Sequence, residues 1–336
     1  MTDRMSALRR AQIGKQSALG SAVAATIELV GLTAEAEPMP SIHSYGPQGQ
    51  LFDTLEDVGQ EYATIKLAGQ PDYNEIAWLL SMIFGDVVPT TPGGGTNSRQ
   101  RLWTPAIGSL WTPMIATLEL GESVRAEQYP DMIMKSFQFM MGQDKFEQTG
   151  DAFAGKIVDN HTLTPSLSGL AEVPIKGEQT KIYLDTTSGG LGGTQLTRYF
   201  EHQVGLSDVF APEFPGGAST SGYGLYVLKK PKAAGQLTLE ADSVGMGNLV
   251  TLRAGSYNYL RVHSIGPIIE GSIHYELIID LAIKFMKPSA FKAVGSASGL
   301  TGNDWPYAIV TDPTWNGTNA EGQALQITLI NAVPSF

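Results

Sequence analysis

Glu61-Tyr-Ala-Thr-Ile-Lys-Leu67 alternates polar and apolar side chains, with Ile65 and Leu67 on one face, and a helical pattern follows it. Alternation with a period of two predicts a β-strand that buries one face. Asp72 is a candidate helix N-cap, and apolar residues then recur at helical spacing until a glycine ends the segment. We therefore predict a helix over residues 72–84 whose apolar stripe faces a sheet.

The same order of strand, aspartate cap and helix recurs in the second half of the chain. The segment 235–240 places Leu237 and Leu239 where Ile65 and Leu67 stand, 172 positions earlier, and Asp242 then precedes a short helical pattern through residue 252. An offset near half of the 336 residues favours a domain duplicated in tandem. Identity between the halves is too low to prove it, so two unrelated halves remain an alternative. The predicted divisions are an N-terminal arm (1–25), a first β domain (26–165) and a second β domain (166–336).

Short alternating segments fill most of the remaining sequence, between turns rich in the 38 Gly and 19 Pro residues. We predict a mainly β protein: an antiparallel β-sandwich or partial barrel with a flanking helix. The predicted strands are 26–30, 61–67, 114–120, 124–128, 133–140, 145–156, 181–185, 197–204, 224–229, 235–240, 259–264, 272–284 and 325–330.

Charge and cysteine content exclude several classes of protein. The chain has no Cys, which rules out disulfides, thiolate metal sites and a thiol nucleophile. Its net charge of -11 argues against a general nucleic-acid binder, because phosphate binding needs clustered Lys and Arg. No stretch has the length and apolarity of a transmembrane helix or of a signal peptide, so we expect no membrane partner.

Catalytic and cofactor motifs are not evident in the sequence. The five His residues lack metal-ligand spacing, the Ser-rich turns lack a Gly-x-Ser-x-Gly elbow, and the Gly-rich loops do not fit phosphate-binding patterns. We therefore predict no catalytic residue, cofactor or metal and expect that the protein is not an enzyme. A catalytic triad dispersed along the chain remains open at this level.

Candidate contact residues lie near the N-terminus and around a repeated Trp-Thr-Pro motif. Residues 1–25 hold four basic residues against one Asp, which favours an arm that lies across an acidic neighbour, the alternative being a frayed terminus. We expect that deleting residues 1–20 blocks association without unfolding the body. The two Trp residues mark an interface if exposed and core if buried. The candidates are Arg4, Arg9, Arg10, Lys15, Trp103 and Trp111, together with the loops 90–100 and 188–193.

Several segments in a shared order resemble the major tail tube protein of long-tailed, siphovirus-like bacteriophages. They are the opening residues 7–15 and 18–26, the helix pattern 72–80, the Trp-Thr-Pro strand entry, and Gly266-Pro-Ile-Ile-Glu270 leading into residues 275–282. Each motif is a pattern of residue type, and their order across most of the chain carries the resemblance.

The resemblance implies rings in which neighbouring sheets join, stacked into a hollow tube that guides DNA ejection and has an acidic lumen. The implied partners are further copies of the chain, the tape measure protein, the tail terminator and baseplate proteins, with viral DNA passing through without specific binding. The implied location is the virion, after assembly in the host cytoplasm. A duplicated chain favours trimeric, pseudo-sixfold rings over hexameric ones. Lumen candidates are Glu119, Glu127 and Glu147, with solvated outer-face carboxylates as the alternative.

Two other function classes remain open at the level of sequence. A carbohydrate-active or lectin-like β-sandwich would use exposed aromatic residues as sugar platforms, and glycosidase chemistry would need two carboxylates in a cleft. Another phage ring protein, such as a hub, terminator or capsid-associated protein, would form a fixed ring or lattice. The association state distinguishes these classes, because a tube subunit polymerises.

Overall fold

A computed structural model describes residues 9–49, 51–52, 55–122, 124–167, 169–216, 222–295, 299–315 and 322–336. In these ranges the chain forms nineteen β-strands, with antiparallel ladders throughout, and two α-helices. The mainly β prediction is confirmed. The first half contains β1 Arg10–Lys15, β2 Ile27–Leu29, β3 Leu32–Tyr45, β4 Leu55–Gly69, α1 Ile76–Phe84, β5 Arg99–Trp103, β6 Ala116–Gly121, β7 Ala126–Gly142, β8 Phe146–Ala154 and β9 Val158–His161. The second half contains β10 Thr180–Asp185, β11 Tyr199–Ser207, β12 Phe210–Glu213, β13 Leu225–Leu228, β14 Lys232–Glu240, α2 Ser243–Ala254, β15 Asn258–Glu270, β16 Ile273–Phe285, β17 Lys292–Val294, β18 Leu300–Ile309 and β19 Leu325–Asn331.

Both halves contain the same arrangement of six strands. The first half has the order β1-β6-β7-β8-β4-β3. The second half has the order β10-β15-β16-β18-β14-β11. In each half a helix leaves the penultimate strand of this order and leads into the hairpin β6–β7 or β15–β16. The strand, helix and hairpin therefore recur with the same neighbours.

One strand joins the two halves into a single sheet. The first part of β7 pairs with β6, while its second part pairs with β8 on one edge and with β11 on the other, from Phe137 opposite Leu206 to Gly142 opposite Glu201. The order β3-β4-β8-β7-β11-β14-β18 is therefore one continuous antiparallel sheet of seven strands, which we call the central sheet. In the described residues its outer strands do not pair with each other, so it is an open sheet and not a closed barrel.

The hydrophobic core is shared by both halves and encloses α1. Eight of the nine α1 residues are buried, so the helix is covered on nearly all sides and not only along one stripe. The Trp78 ring lies 4.7 Å from the Phe336 ring, and Phe84 packs against Trp111 and Phe137. A helix that is apolar all round is typical of a protein interior.

The start of α1 differs from the prediction, because residues 73–75 form turns ahead of the helix. The Asp72 carboxylate accepts hydrogen bonds from the backbone N–H groups of Asn74, at 2.7 Å, and of Val173. The helix begins at Ile76 instead. A short polar side chain that bonds to nearby backbone competes with helix formation. In the second half the predicted cap is confirmed, since Asp242 accepts a hydrogen bond from the Gly245 N–H at 2.8 Å.

The predicted arm over residues 1–25 is wrong for its described part. Residues 10–15 form β1, which lies between β2 and β6, and the Ile13 side chain is fully buried. Arg10 and Lys15 flank four buried residues, so the basic charge at each end concealed a core strand. The prediction that residues 1–20 can be deleted without effect on the body is therefore corrected.

We predict that Ile13→Ala lowers the free energy of unfolding by about 2–5 kcal/mol, because it leaves a cavity between two paired strands. Chemical denaturation at constant m-value measures the loss. Val88→Ala is the matched control, since Val88 is 84% exposed and a surface change of this kind stays within about 0.5 kcal/mol. Deleting residues 1–20 is expected to destabilise the body as well. An unfolding midpoint that changes neither in Ile13→Ala nor in this deletion variant would contradict the assignment of β1.

Candidate functional site: the open face and the edges of the central sheet

One face of the central sheet packs on the core and the other is open. Because side chains alternate along each strand, Ile65 and Leu67 point to the core while Lys66 between them is exposed. The open face forms a shallow concavity of about 780 Å³ that crosses from the first half to the second. Its polar lining includes Lys66, Ser136, Gln138, Thr149, Asp151, Gln203 and Gln236.

Carboxylates outnumber cations on this open face. The side chains that point outward from the paired residues of this sheet include seven carboxylates and two ammonium groups, and Lys135 lies at a bulge beside them. Three of the carboxylates lie 2.8 Å from Lys145, Arg198 and Lys292, and when these cations are counted the excess of negative charge on this face is small. The carboxylates are Glu35, Glu37, Glu147, Asp151, Glu201, Glu240 and Asp304, and the two ammonium groups are Lys66 and Lys232.

Several strands have one edge without a ladder partner in the described part of the chain, and two of them lie at the ends of the central sheet, which β17 extends beyond β18. β3 pairs only with β4, and β17 pairs only with β18. Such edges present rows of N–H and C=O groups that can pair with another strand. The β3–β4 hairpin also projects beyond the core and exposes apolar side chains, with Ile42, Tyr45, Leu55 and Val58 each about 60% exposed. Clustered exposed apolar groups of this kind mark interaction surfaces.

Only one of the three lumen candidates lies on the open face. Glu147 is there, with a side chain 44% exposed and 2.8 Å from the Lys145 ammonium. Glu127 lies on the part of β7 outside the central sheet, where it accepts a hydrogen bond from the Tyr129 hydroxyl at 2.6 Å.

Glu119 is wrong as a lumen residue, because its side chain is fully buried on β6, a strand covered on both faces. Its carboxylate accepts hydrogen bonds from the Ala25 N–H at 3.1 Å and the Thr164 N–H at 2.8 Å, and it lies 3.1 Å from His161 Nε2. The carboxylate ties three segments together inside the protein and cannot face DNA.

The Trp-Thr-Pro motif belongs mainly to the core. Trp103 is 1% exposed and donates its indole N–H to the Gly85 carbonyl at 3.0 Å, so its prediction as a contact residue is wrong. Trp111 is partly buried, packs on Phe84 and donates to the Ala106 carbonyl at 2.7 Å. The sequence alternative of buried aromatics holds for Trp103.

The basic contact candidates are mostly exposed and serve local ion pairs. Arg10 lies 3.6 Å from Glu28, and Lys15 pairs with Asp86. Arg9 is exposed beside β1, and Arg4 lies outside the described residues. Surface pairs of this kind contribute little to stability.

Sequence analysis missed Glu270, which anchors the predicted contact loop 90–100. Its carboxylate accepts hydrogen bonds from the N–H groups of Thr96, Asn97 and Ser98 at 3.0, 2.9 and 2.7 Å, and from the Ser98 hydroxyl at 2.6 Å. These hydrogen bonds, led by that of the Ser98 hydroxyl, lower the pKa of Glu270 to about 2. No sequence signal joins residues so far apart. The loop 188–193 is tied similarly, since Gly192 N–H donates to Asp185 at 3.0 Å.

In the described ranges no group of three or more His, Asp or Glu side chains is placed to hold a metal ion. Neither of the α-helices found there is long and apolar enough to cross a membrane. No protein-family model matches the chain, and a search of curated proteins finds no significant match.

We predict that Glu270→Gln releases the loop at residues 96–98, because a neutral amide accepts these hydrogen bonds less strongly than a carboxylate. Amide hydrogen exchange of Thr96, Asn97 and Ser98 should become several-fold faster at neutral pH. Glu147→Gln is the control and should leave these amides unchanged.

The same anchor sets a pH dependence. A carboxyl group whose folded pKa is lowered stabilises the folded state above its ordinary pKa of 4.5 and loses that contribution as the pH falls towards about 2. Protection of the loop amides in the wild type should fall over this window, and protection that stays constant down to pH 2 would contradict the anchoring role.

Proposed function

We propose that this chain is a structural subunit of the tail tube of a long-tailed bacteriophage, which polymerises as stacked rings into the conduit for DNA ejection. The observation that carries the proposal is the central sheet, whose open face runs through both halves, has seven carboxylates along its strands and ends at unpaired edges. The tail of the virion is the corresponding location, and the resemblance in sequence points to the same role.

The open face has the chemistry that a DNA conduit needs. Carboxylates such as Glu147 and Asp151 repel phosphates, and uncharged side chains such as Gln138, Gln203 and Gln236 line the middle of the concavity. DNA binds proteins mainly through phosphate contacts with Lys and Arg. A wall with few unpaired cations therefore offers DNA few places to stick, and its field favours passage along the axis.

The repeated strand order supports rings of three chains. Each chain supplies two copies of the six-stranded unit, so three chains place six units around an axis, and hexameric rings are the alternative. Closing a ring pairs strand edges that otherwise invite uncontrolled aggregation. Stacking of rings is head to tail and open-ended, which yields a filament. Tape measure, terminator and baseplate proteins would limit its length and ends.

Electron microscopy of the concentrated, purified protein tests this function. We expect hollow rings or tubes, with class averages that show three chains and six similar units around the axis. Rings of six chains would contradict the trimeric arrangement but not the tube. A protein that stays monomeric at high concentration, with or without added tail partners, and that binds glycans in a screen would overturn the proposal in favour of a lectin-like module.

Charge reversal on the open face tests the lumen assignment. We predict that Glu147→Lys combined with Glu201→Lys converts assembled rings that do not retain duplex DNA into rings that bind it. Affinity should rise at least about tenfold at low salt and fall steeply with salt, since each new phosphate contact adds about 0.9 to the slope of log affinity against log salt concentration.

The matched control for this experiment is Asp159→Lys combined with Glu172→Lys, since both side chains are exposed and lie outside the strands of the central sheet. It makes the same change in net charge and should leave DNA retention unchanged. Equal DNA binding by the two kinds of variant would show that net charge, and not the open face, governs the interaction.

A further inference from the structure

The two unpaired edges are the counterparts of the two strands that join the halves. In the repeated strand order, β3 stands where β11 stands, and β16 with β17 stands where β7 stands. Beyond Phe285 the chain continues along β18, with the Met286 N–H bonded to the Pro306 carbonyl at 2.8 Å and the Ser289 N–H to the Asp304 carbonyl at 2.9 Å, and it then enters β17. In the same way β7 continues past β6 along β8.

The register of this equivalence is fixed on the β7 side by two independent observations. Ile65 and Leu67 correspond to Leu237 and Leu239. The paired residues can then be followed from β4 through β8 to β7, and from β14 through β18 to β17. Lys292 is in this way the counterpart of Gln138. A shared side-chain contact agrees with it, because the Asp151 N–H donates to the Ser136 hydroxyl at 3.1 Å and its counterpart, the Asp304 N–H, donates to the Ser289 hydroxyl at 2.9 Å.

The β3 side follows from the same alignment. Glu35 lies opposite Lys66, and Glu201 lies opposite Thr238, so Glu35 is the counterpart of Glu201. Two residues further along, Glu37 is the counterpart of Gln203. In the internal junction Met140 lies opposite Gln203, and Gln138 lies opposite Gly205. The corresponding pairs at the open edges are Val294 with Glu37 and Lys292 with Met39.

We propose that a second copy of this chain pairs its β3 with β17 in this register and so repeats the β7–β11 junction between chains. The inference rests on the proposed function, because a ring needs such a seam, and it names the residues that form the seam.

Side-chain chemistry at the seam favours this partner. In the internal junction Gln138 Nε2 donates a hydrogen bond diagonally to Gln203 Oε1 at 3.3 Å. The corresponding side chains are Lys292 and Glu37 of the second copy, which carry opposite charges. Lys292 lies 2.8 Å from Asp304 and is half exposed, so its ammonium can bridge two carboxylates.

Charge complementarity extends along both edges. Residues 281–295 contain three Lys and no acidic residue, whereas β3 contains two Glu and no Lys or Arg. Pro38 and Pro40 on β3 lack an N–H, so they reduce the number of backbone hydrogen bonds that this edge can offer. Proline on an edge strand also discourages indiscriminate pairing. Charge therefore selects the partner and the register of a ladder that is short in backbone donors.

Disulfide trapping tests the register directly, because the chain has no native Cys. The variant Met39→Cys with Lys292→Cys places thiols on directly opposed seam positions, where antiparallel Cα separations of about 4.5–5.5 Å suit a disulfide. After mild oxidation of assembled protein we expect covalent dimers and closed trimers on non-reducing gels.

Two further pairs serve as controls for the trapping. Met140→Cys with Gln203→Cys marks the internal junction and should give an intrachain disulfide whether or not rings form. Thr33→Cys with Lys292→Cys shifts the register by six residues along β3 and should give no cross-link. Rings visible by microscopy without the Met39–Lys292 cross-link would overturn the seam and leave the tube standing. Absence of rings from the wild-type protein as well, with no interchain cross-link in the variant and the internal disulfide formed, would overturn the tube too.

A charge swap provides a second test that needs no cross-link. Glu37→Lys or Lys292→Glu alone places like charges at the seam and should raise the protein concentration needed for assembly about fivefold or more. The double variant Glu37→Lys with Lys292→Glu should bring this concentration most of the way back to the wild-type value. Far-UV circular dichroism and unfolding midpoints confirm that each variant folds. Equal effects that simply add in the double variant would contradict a contact between these two side chains.

Discussion

The architecture depends on a single strand that serves two neighbours at once. β7 is 17 residues long, and its second part holds β8 on one edge and β11 on the other. Without that second edge the only remaining ladder between the halves in the described residues would be the one that joins β5 to β19. With it, one face of seven strands can be covered by a common core that encloses α1, and the other face is left as an uninterrupted wall.

The sequence predicted most strands because one-sided burial imposes a period of two. Strands with other constraints were missed. β1 carries Arg10 and Lys15 at its ends, and β18 contains Asn303, Asp304 and Pro306, so neither shows a simple alternation. The two predicted strands 124–128 and 133–140 are one strand, with a left-handed residue, Asp131 at φ 60°, inside it.

Sequence patterns did not predict which individual side chains are buried and which face solvent, because this depends on residues distant along the chain. Glu119 resembles Glu147 in a strand pattern, yet one is buried under segments around Ala25 and Thr164 and the other faces solvent. Several buried carboxylates behave like Glu119. Asp72 and Glu75 bind backbone N–H groups of Val173 and Gly31, and burial raises the pKa of both. The local pattern predicts a helix cap at Asp72, whereas in the structure the Asp72 and Glu75 carboxylates also bind backbone groups of segments distant along the chain.

Joining two similar units in one polypeptide changes the thermodynamics of any ring built from them. Half of the junctions are made within a chain, where the units are already at high effective concentration and no translational or rotational entropy is lost on pairing. Only the other half depends on protein concentration. The two kinds of junction are also free to diverge, and here the inner one is neutral, with Gln138 on Gln203. Salt screens charged contacts and leaves neutral ones nearly untouched. High ionic strength would therefore weaken the junctions between chains and not those within a chain, so a ring would separate into whole chains.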